Sequence, residues 1–430
     1  MSPDKQGMTR MVDLYANVRK IQTLVTAWQL VKTSATRSSS VDIRNEAAEF
    51  DASAHKHLRS IQARLQKRTF KFKPQTGVAK SRPGKTARPL VIAPIENRIV
   101  QRAILDVLQK DMPGIQSILD TPTSFGGIRN HRVSMAIDAL KASFDNGGKF
   151  YLRSDIPNFF TLVKRQAIID YMQTQTEDQQ FLQLFEMSIT TTLENLTDLQ
   201  KNNLKGLFPL GPEGVAQGSP LSPLIANIYL AEFDREMNAG NEVCIRYIDD
   251  FVIVGKTEKE VSQGFRKAKA ILQRIGLTAY SPLTHPMKAS QGEVIKGFDF
   301  LGCFINPTLT LPSVSARKSL VDKIDTEIRQ GLGIADTILD TKESGKIGCY
   351  AQTLGRINNI ILGWGMAFSF CNGDQVFKTL DEKITKQLDR FQDEIQKRIK
   401  RGDQKTKRMI MGVRMLEGLN HTPKENKLSM

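Results

Sequence analysis

No apolar run in this 430-residue chain reaches the ~18–20 residues that a membrane span requires. The nearest, Ile360 to Cys371, is short and is interrupted by Gly363 and Gly365. The first residues, MSPDKQGMTR, carry Asp4 and lead into no apolar core, so they do not read as a secretory signal. Cysteine is scarce: Cys244, Cys303, Cys349 and Cys371 stand far apart, without a C-x-x-C pair. That spacing argues against a zinc ribbon and a disulfide framework and fits a reducing compartment. The expected location is the cytoplasm, with no membrane partner. Core-forming residues are not lacking: 40% hydrophobic and 25% charged residues exclude wholesale disorder. At roughly 100–200 residues per domain, two or three domains are expected.

Acid is what one long stretch lacks most. Between Lys56 and Arg102, thirteen Lys or Arg face a single acid, Glu96. The whole chain has 61 Lys and Arg against 45 Asp and Glu, so this stretch carries twelve of its sixteen net positive charges. Phe70, Phe72, Pro74, Pro83 and Pro89 interleave with the cations. Such a pattern suits a surface that tracks phosphates better than an ordinary solvated helix face.

Apolar spacing over Ile21, Leu24, Val25, Trp28, Leu30 and Val31 predicts a first helix, followed by a Ser/Thr-rich loop and a second helix over 41–68. Leu90-Val91-Ile92 reads as a strand, 96–109 as a helix, and 149–153 as a strand after Gly147-Gly148. Residues 161–205 are helical in pattern. A Gly/Pro-rich loop, GLFPLGPEGVAQGSP, then leads into a helix over about 223–236. Two β-prone runs flank Tyr247-Ile248-Asp249-Asp250 as a hairpin; a helix over 258–275 and a strand region over 298–305 follow. Strands and helices alternate without a regular βαβ period, which predicts an α+β core. Further on, Phe377, Leu380, Ile384, Leu388, Phe391, Ile395 and Ile399 step by three and four, as one amphipathic helix packed in its own bundle.

Two features could carry chemistry. Paired Asp in a turn is ordinarily just a turn, but tight hairpins prefer Asn-Gly or Asp-Gly. Asp249 and Asp250 also repel, by roughly 4 kcal/mol if held ~4 Å apart at an effective dielectric of about 20. Asp155 directly follows the strand KFYLRS. Carboxylates from two strands with no nearby His or Cys suit Mg²⁺ rather than zinc. The second feature is Gln217-Gly218-Ser219-Pro220-Leu221-Ser222-Pro223, where glycine allows close approach and proline sets the entry of a helix.

FYLRSDIPNFF (Phe150–Phe160), GVAQGSPLSPLIANIYL (Gly214–Leu230) and RYIDDFVIV (Arg246–Val254) resemble, in order, the three palm motifs of reverse transcriptases. Arg88-Pro89-Leu90 through Asn97-Arg98-Ile99-Val100-Gln101 resembles the fingers motif, SFGGIRN (Ser124–Asn130) the next block, and Phe300-Leu301-Gly302 the late hairpin that supports the primer end. The resemblance implies an α+β right-hand polymerase: an N-terminal helical extension (1–55), fingers (56–148), a palm with an antiparallel sheet (149–305) carrying a helical insertion (161–205), an α-helical thumb (306–400) and a basic tail (401–430).

It also implies roles. Asp155, Asp249 and Asp250 match the catalytic carboxylates that hold two Mg²⁺, assisted by the backbone carbonyl of Ile156. Phe160 matches the aromatic gate that excludes a 2′-hydroxyl, although a core aromatic is the plain alternative. Gln217 matches the residue beside the incoming nucleotide, and Arg88 the fingers arginine on the triphosphate, joined by Lys80 or Arg82. Lys67, Arg68, Lys71, Lys73, Arg98, Tyr247 and Gly302 are expected to contact nucleic acid. The partners implied are an RNA template, a DNA primer and product, and dNTPs.

Within the family, QGSPLSP followed by N-x-Y-L resembles the branch of group II intron proteins and their bacterial relatives. INNIILGWGMAFSF (Ile357–Phe370) resembles the start of their thumb, with Phe368 and Phe370 where tyrosines usually follow Gly-Trp. No H-N-H or Cys-rich nuclease module is found. The chain looks most like the defence-associated, stand-alone bacterial reverse transcriptases (the unknown group), several of which copy a partner non-coding RNA. The alternatives are an endonuclease-less intron maturase, a non-catalytic RNA-binding splicing or scaffold factor, and template-independent or protein-primed synthesis.

Overall fold

A computed structural model describes residues 13–38, 40–82, 85–240, 242–341 and 349–413; the side chains of 82, 85 and 86 are also outside the description. The N-terminal decapeptide, the Pro83-Gly84 turn and the end of the expected tail fall outside it. The chain divides into two units, 1–293 and 294–430. No helix among the described residues is long and apolar enough to cross a membrane.

The first unit is organised on the helix Ile95–Asp111, in which Ile95, Ile99, Val100, Ala103, Ile104, Leu105, Val107 and Leu108 are buried. So wide an apolar surface needs cover on several sides, and the helices Leu14–Val18, Ile21–Thr36 and Val41–Ala52 pack against it. The expected helical extension is therefore part of the same core. The expected helix over 41–68 is two, broken at Ser53, whose extended φ of −137° ends the first before Ala54–Gln66 begins.

Two polar residues of the Asn97–Gln101 block are buried as well, because each holds a neighbouring segment. The Asn97 side chain accepts from the Lys73 N–H (3.0 Å) and donates to the Lys73 carbonyl (2.8 Å), while Gln101 donates to the Ser188 carbonyl (2.8 Å). Burying amides without partners would cost ~1–3 kcal/mol each; Asn97 is bonded through both its oxygen and its nitrogen and Gln101 through its nitrogen, and these bonds set the register of the chain around the helix.

β1 (Thr76–Arg82) and β2 (Lys85–Ile92) form an antiparallel hairpin, longer than the three-residue strand expected at its root. Its base packs Val91 against Leu193, Leu199, Phe208 and Ala216. The principal sheet contains β3 (Phe150–Asp155), β4 (Val243–Tyr247), β5 (Asp250–Gly255) and β6 (Ser290–Glu293), all antiparallel in the order β4-β5-β3-β6. Phe251 to Val254 are all buried, with the helices Val133–Asp145 and Glu258–Arg274 packed on this sheet. The single helix expected over 223–236 is instead Ser222–Tyr229 and Ala231–Met237, separated at Leu230.

The second unit opens with a three-stranded antiparallel sheet, β7 (Phe298–Phe300), β8 (Cys303–Ile305) and β9 (Thr310–Pro312). The helices Val314–Thr341, Tyr350–Ala367, Asp374–Arg401 and Gln404–Met411 follow. The division falls at 293/294, ahead of the boundary expected at 305/306, so the Phe300-Leu301-Gly302 hairpin lies in the second unit. The stripe read from Phe377 onward lies in the Asp374–Arg401 helix. Leu380, Ile384, Phe391 and Ile395 are buried there, the last three packing with Ile324, Ile328 and Ile357. Within the basic segment expected from 401, Gln404–Met411 is a helix with Thr406 and Ile410 buried.

Candidate active site

Antiparallel pairing brings the three expected carboxylates together. Asp155 ends β3 opposite Asp250, the first residue of β5, and the Ile156 N–H donates to the Asp249 carbonyl at 3.1 Å. The Ile156 side chain is buried in the core beneath. Burial and the charge of Asp155 push the Asp249 carboxyl up to about 6. Burial, Asp155 and Asp249 together push Asp250 up to about 7. Such shifts mark excess negative charge held in a half-dry place, a common signature of functional sites.

One cation already answers that charge. Lys288 donates to Asp155 Oδ2 at 2.9 Å and lies over the Tyr280 ring. Partial burial lowers the Lys288 ammonium, but its hydrogen bond and ion pair with Asp155 outweigh this and raise it. Backbone geometry delivers it. The Tyr280 N–H donates to the Asp155 carbonyl (3.2 Å), Ser154 Oγ donates to the Tyr280 carbonyl (2.8 Å), and β6 pairs with β3 just beyond. Sequence reasoning missed Lys288, because a lone lysine in an irregular segment carries no local signal.

Among the described residues no three His, Cys, Asp or Glu side chains are grouped as a ready metal site. The donor set nevertheless fits hard divalent cations. It is three carboxylates, two of them lifted by burial and by their neighbours' charge, with an ammonium standing at the third.

The hairpin and the Gly/Pro loop meet beside these carboxylates. Arg88 Nε donates to Gln217 Oε1 at 2.8 Å, and the Val91 N–H donates to the Gln217 carbonyl at 2.8 Å. Arg88 is close enough to lower Asp249 electrostatically. Gly218 has φ +119°, and a Cβ there would stand 2.8 Å from the Val91 carbonyl oxygen, so only glycine lets the loop lie on β2. Phe160 is half-buried, its ring 5.2 Å from that of Phe159, and its carbonyl accepts from the Val215 N–H at 2.7 Å. Lys80 is exposed and pairs in register with Arg88; Arg82 shares the strand.

The turn that presents Asp249 is strained. Ile248 has φ +60°, unusual for a β-branched residue. Fully buried Arg246 holds it, donating to the Ile248 carbonyl (2.9 Å), to Asp234 Oδ1 (2.6 Å), to Ser124 Oγ (2.7 Å) and to Asn227 Oδ1 (3.0 Å). Asn227 in turn donates to the Gly126 carbonyl (3.0 Å). A Cβ on Gly126 would come within 2.4 Å of the Ile248 nitrogen, and one on Gly127, at φ +72°, within 2.3 Å of Pro223, which explains the Gly-Gly of SFGGIRN. These supporting residues lay inside the recognised blocks, but their pairing across 122 and 103 positions had no sequence signal.

The expected nucleic-acid residues divide. Lys67, Arg68 and Lys71 are exposed. Lys73 pairs with Glu96 at 3.0 Å, and Arg64 takes the other oxygen. Arg98 is half-buried; desolvation pulls its guanidinium down while Glu46 opposes. Tyr247 is half-buried opposite Asp250, its hydroxyl raised by desolvation. Gly302 lies in the second unit, at the β7–β8 turn, with φ +80°.

The family described as "Reverse transcriptase (RNA-dependent DNA polymerase)" matches residues 78–303, more than half of the chain. "Protein YkfC" of Escherichia coli is 28% identical over 177 residues, covering 40% of each chain. "Group II intron-encoded protein LtrA" of Lactococcus lactis is 24% identical over 233 residues, 51% of this chain and 36% of that one. The chain thus spans less than half the length of these relatives. Among solved structures, a telomerase from Candida albicans aligns at a TM-score of 0.40 and 10% identity, over 81% of this chain and 62% of that one. A partial Cas6-RT-Cas1–Cas2 complex aligns at 0.34 and 20%, over 61% and 43%. The matched span runs from the hairpin that carries Lys80 and Arg88 through the sheet that joins Asp155 to Asp250, an α+β right-hand polymerase fold, and the chain belongs to the reverse transcriptase family.

Proposed function

We propose that this protein is an RNA-directed DNA polymerase that copies a partner non-coding RNA into complementary DNA and acts in anti-phage defence. The convergence of Asp155, Asp249 and Asp250 at the meeting of β3 and β5, beside the Arg88–Gln217 pair, carries the polymerase reading. A binding-only factor gains nothing from three repelling carboxylates next to a polyanion. Two Mg²⁺ ions bound there would supply activation of the primer 3′-hydroxyl and charge stabilisation of the departing pyrophosphate.

The chain's own groups do the rest. Arg88 and Lys80 present positive charge for the triphosphate of a dNTP, with Gln217 orienting Arg88. Lys288 neutralises Asp155 in the metal-free chain, and its ammonium would be available to the phosphates if a bound cation took over that carboxylate. Phe160 sits beneath the sugar as the gate. Phe160→Ala should raise ribonucleotide incorporation on the order of 10–100-fold, about 1.4–2.8 kcal/mol of lost discrimination. Single-nucleotide extension with rNTP against dNTP reads this, and an unchanged ratio assigns Phe160 to the core.

The defence reading rests on the sequence. The QGSPLSP loop resembles the intron branch, while Phe368 and Phe370 replace the tyrosines expected of a splicing thumb. An intron maturase is the second reading, favoured by the relative named as a group II intron-encoded protein. The test is to purify wild type and an Asp249→Ala/Asp250→Ala variant from the native host locus and sequence all bound RNA and DNA. One abundant small RNA in both, with complementary DNA in the wild type alone, is the expected result. Bound intron RNA would transfer the assignment to a maturase, and RNA without Asp-dependent DNA would reject synthesis.

A further inference from the structure

One side chain fastens the Gly/Pro loop to the segment that carries Phe160. Apart from a single bridge at Glu213, the chain from Phe208 to Leu221 is neither helix nor strand, so its carbonyls have no ladder to join. Arg165, five residues beyond Phe160 and the first residue of the helix Arg165–Gln175, supplies donors to them. Its Nη1 donates to the Gly214 carbonyl at 2.8 Å and to the Glu213 carbonyl at 3.3 Å, and its Nη2 donates to the Gly211 carbonyl. The backbones are paired beside it. Lys164 bridges to Glu213, the Gly214 N–H donates to the Val163 carbonyl (2.7 Å), and the Val215 N–H donates to the Phe160 carbonyl (2.7 Å).

Arg165 is half-buried, and desolvation pulls its guanidinium down. No carboxylate appears among the influences on it, so backbone carbonyls answer its charge. Taking a charge out of water is costly, and three carbonyls within four residues suit a planar fork with five donors better than an ammonium. The span they anchor leads straight to the nucleotide-facing groups. Beyond Val215, the Ala216 carbonyl accepts from Ser222 Oγ (2.6 Å) and the Gln217 carbonyl from the Val91 N–H (2.8 Å). Phe160 and Gln217 are thus the two ends of one hydrogen-bonded span, and Arg165 ties down the stretch just upstream of it.

We propose that Arg165 is a positioning residue for sugar selection: by gripping the Gly211, Glu213 and Gly214 carbonyls it sets the gap between the Phe160 ring and the Gln217 loop. The consequence for the nucleotide rests on the roles given to Phe160 and Gln217 under the proposed function. Without the grip the loop drifts from Phe160, the sugar is enclosed less closely, and a 2′-hydroxyl finds room. Misplacement of about 1 Å is enough to be felt in such a site.

The test compares wild type, Arg165→Met and Arg165→Lys in single-nucleotide extension of a DNA primer annealed to an RNA template, and in amide hydrogen exchange without nucleotide. In Arg165→Met the Gly214 and Val215 amides should exchange ~10-fold faster while those of β3 and β5 keep their protection. KM for dNTP should rise about tenfold with kcat changed much less, and relative rNTP use should rise about 3–10-fold. Arg165→Lys should fall between the two, and serves in place of Arg165→Met where that variant folds poorly. Because Arg165 acts through Phe160, adding Arg165→Met to Phe160→Ala should relax the sugar ratio less than about twofold further.

An unchanged sugar ratio in Arg165→Met overturns the proposal, whether the loop amides alone exchange faster or protection is lost throughout, since the latter marks a purely structural role. Full recovery in Arg165→Lys would assign the effect to charge and overturn the fork. Independent, multiplying effects in the double variant would overturn the route through Phe160. A wild-type chain that makes no DNA, or a Phe160→Ala ratio that does not move, counts against the proposed function and takes the sugar role with it. Exchange at Gly214 and Val215 still decides whether Arg165 holds the loop.

Discussion

Asp250→Asn is expected to do two opposite things at once: lower primer extension by about 10³-fold or more, and make the metal-free protein harder to unfold. The first follows from removing a carboxylate that would hold the proposed metal ions, worth ~4 kcal/mol or more of barrier. The second follows from the raised carboxyls. Asp249 and Asp250 titrate at about 6 and about 7 in the folded chain, above the ordinary carboxylate range. Between about pH 4 and 7 the folded state therefore binds more protons than the unfolded one, and stability falls as pH rises through that window. At pH 8 the penalty is fully present, of order 1–3 kcal/mol after allowance for solvent at the turn. Replacing Asp250 with a neutral isostere removes most of it.

Thermal unfolding in a chelator should thus place Asp250→Asn above wild type at pH 8, with the gap closing toward pH 4. Added Mg²⁺ should raise the wild type and leave the variant nearly unmoved. Its apparent affinity for the wild type should strengthen as pH climbs from about 5.5 to 7.5, because the ligands must shed protons to bind. A variant less stable than wild type at pH 8 without metal would mean that the carboxylates are structural and not strained against one another.

How much of this was readable beforehand depends on distance along the chain. The three carboxylates were legible because each ends or begins a strand with its own apolar pattern, and because their blocks resemble a known family. Arg88 and Gln217 come from the same resemblance, and their side chains are hydrogen-bonded to each other. The Asn97 and Gln101 of the fingers block were read as part of a motif, whereas their work is to clamp Lys73 and Ser188. The lone acid of the basic stretch was counted correctly, but not that it captures Arg64 and Lys73. The helix breaks at Ser53 and Leu230 have no Gly or Pro to mark them in the sequence. Lys288 on Asp155 and the Arg246 network are pairings between remote segments. No periodicity encodes those.

The Arg246 network makes the second large prediction. Arg246→Ala would leave Asp234, 3% exposed, as a buried charge without its partner. Breaking such a pair costs about 3–5 kcal/mol. Arg246→Lys should recover only part, because an ammonium cannot reproduce a fork that reaches Asp234, Ser124, Asn227 and Ile248 together. Stability alone would not separate a packing role from a positioning one, so the informative variant is Arg246→Met with Asp234→Leu. Replacing both members of a buried pair by apolar groups of similar size is often neutral, so folding should return to within ~1–2 kcal/mol of wild type. The Ile248 carbonyl would still lack its donor, and a left-handed β-branched turn costs ~1–3 kcal/mol unless something holds it. Asp249 rides on that turn, one residue away. Primer extension should therefore stay depressed by about 10²-fold in the refolded double variant, in kcat more than in KM, since roughly an ångström of misplacement is enough. Activity that returned along with stability would show that Arg246 serves the fold and leaves the aim of Asp249 to its neighbours.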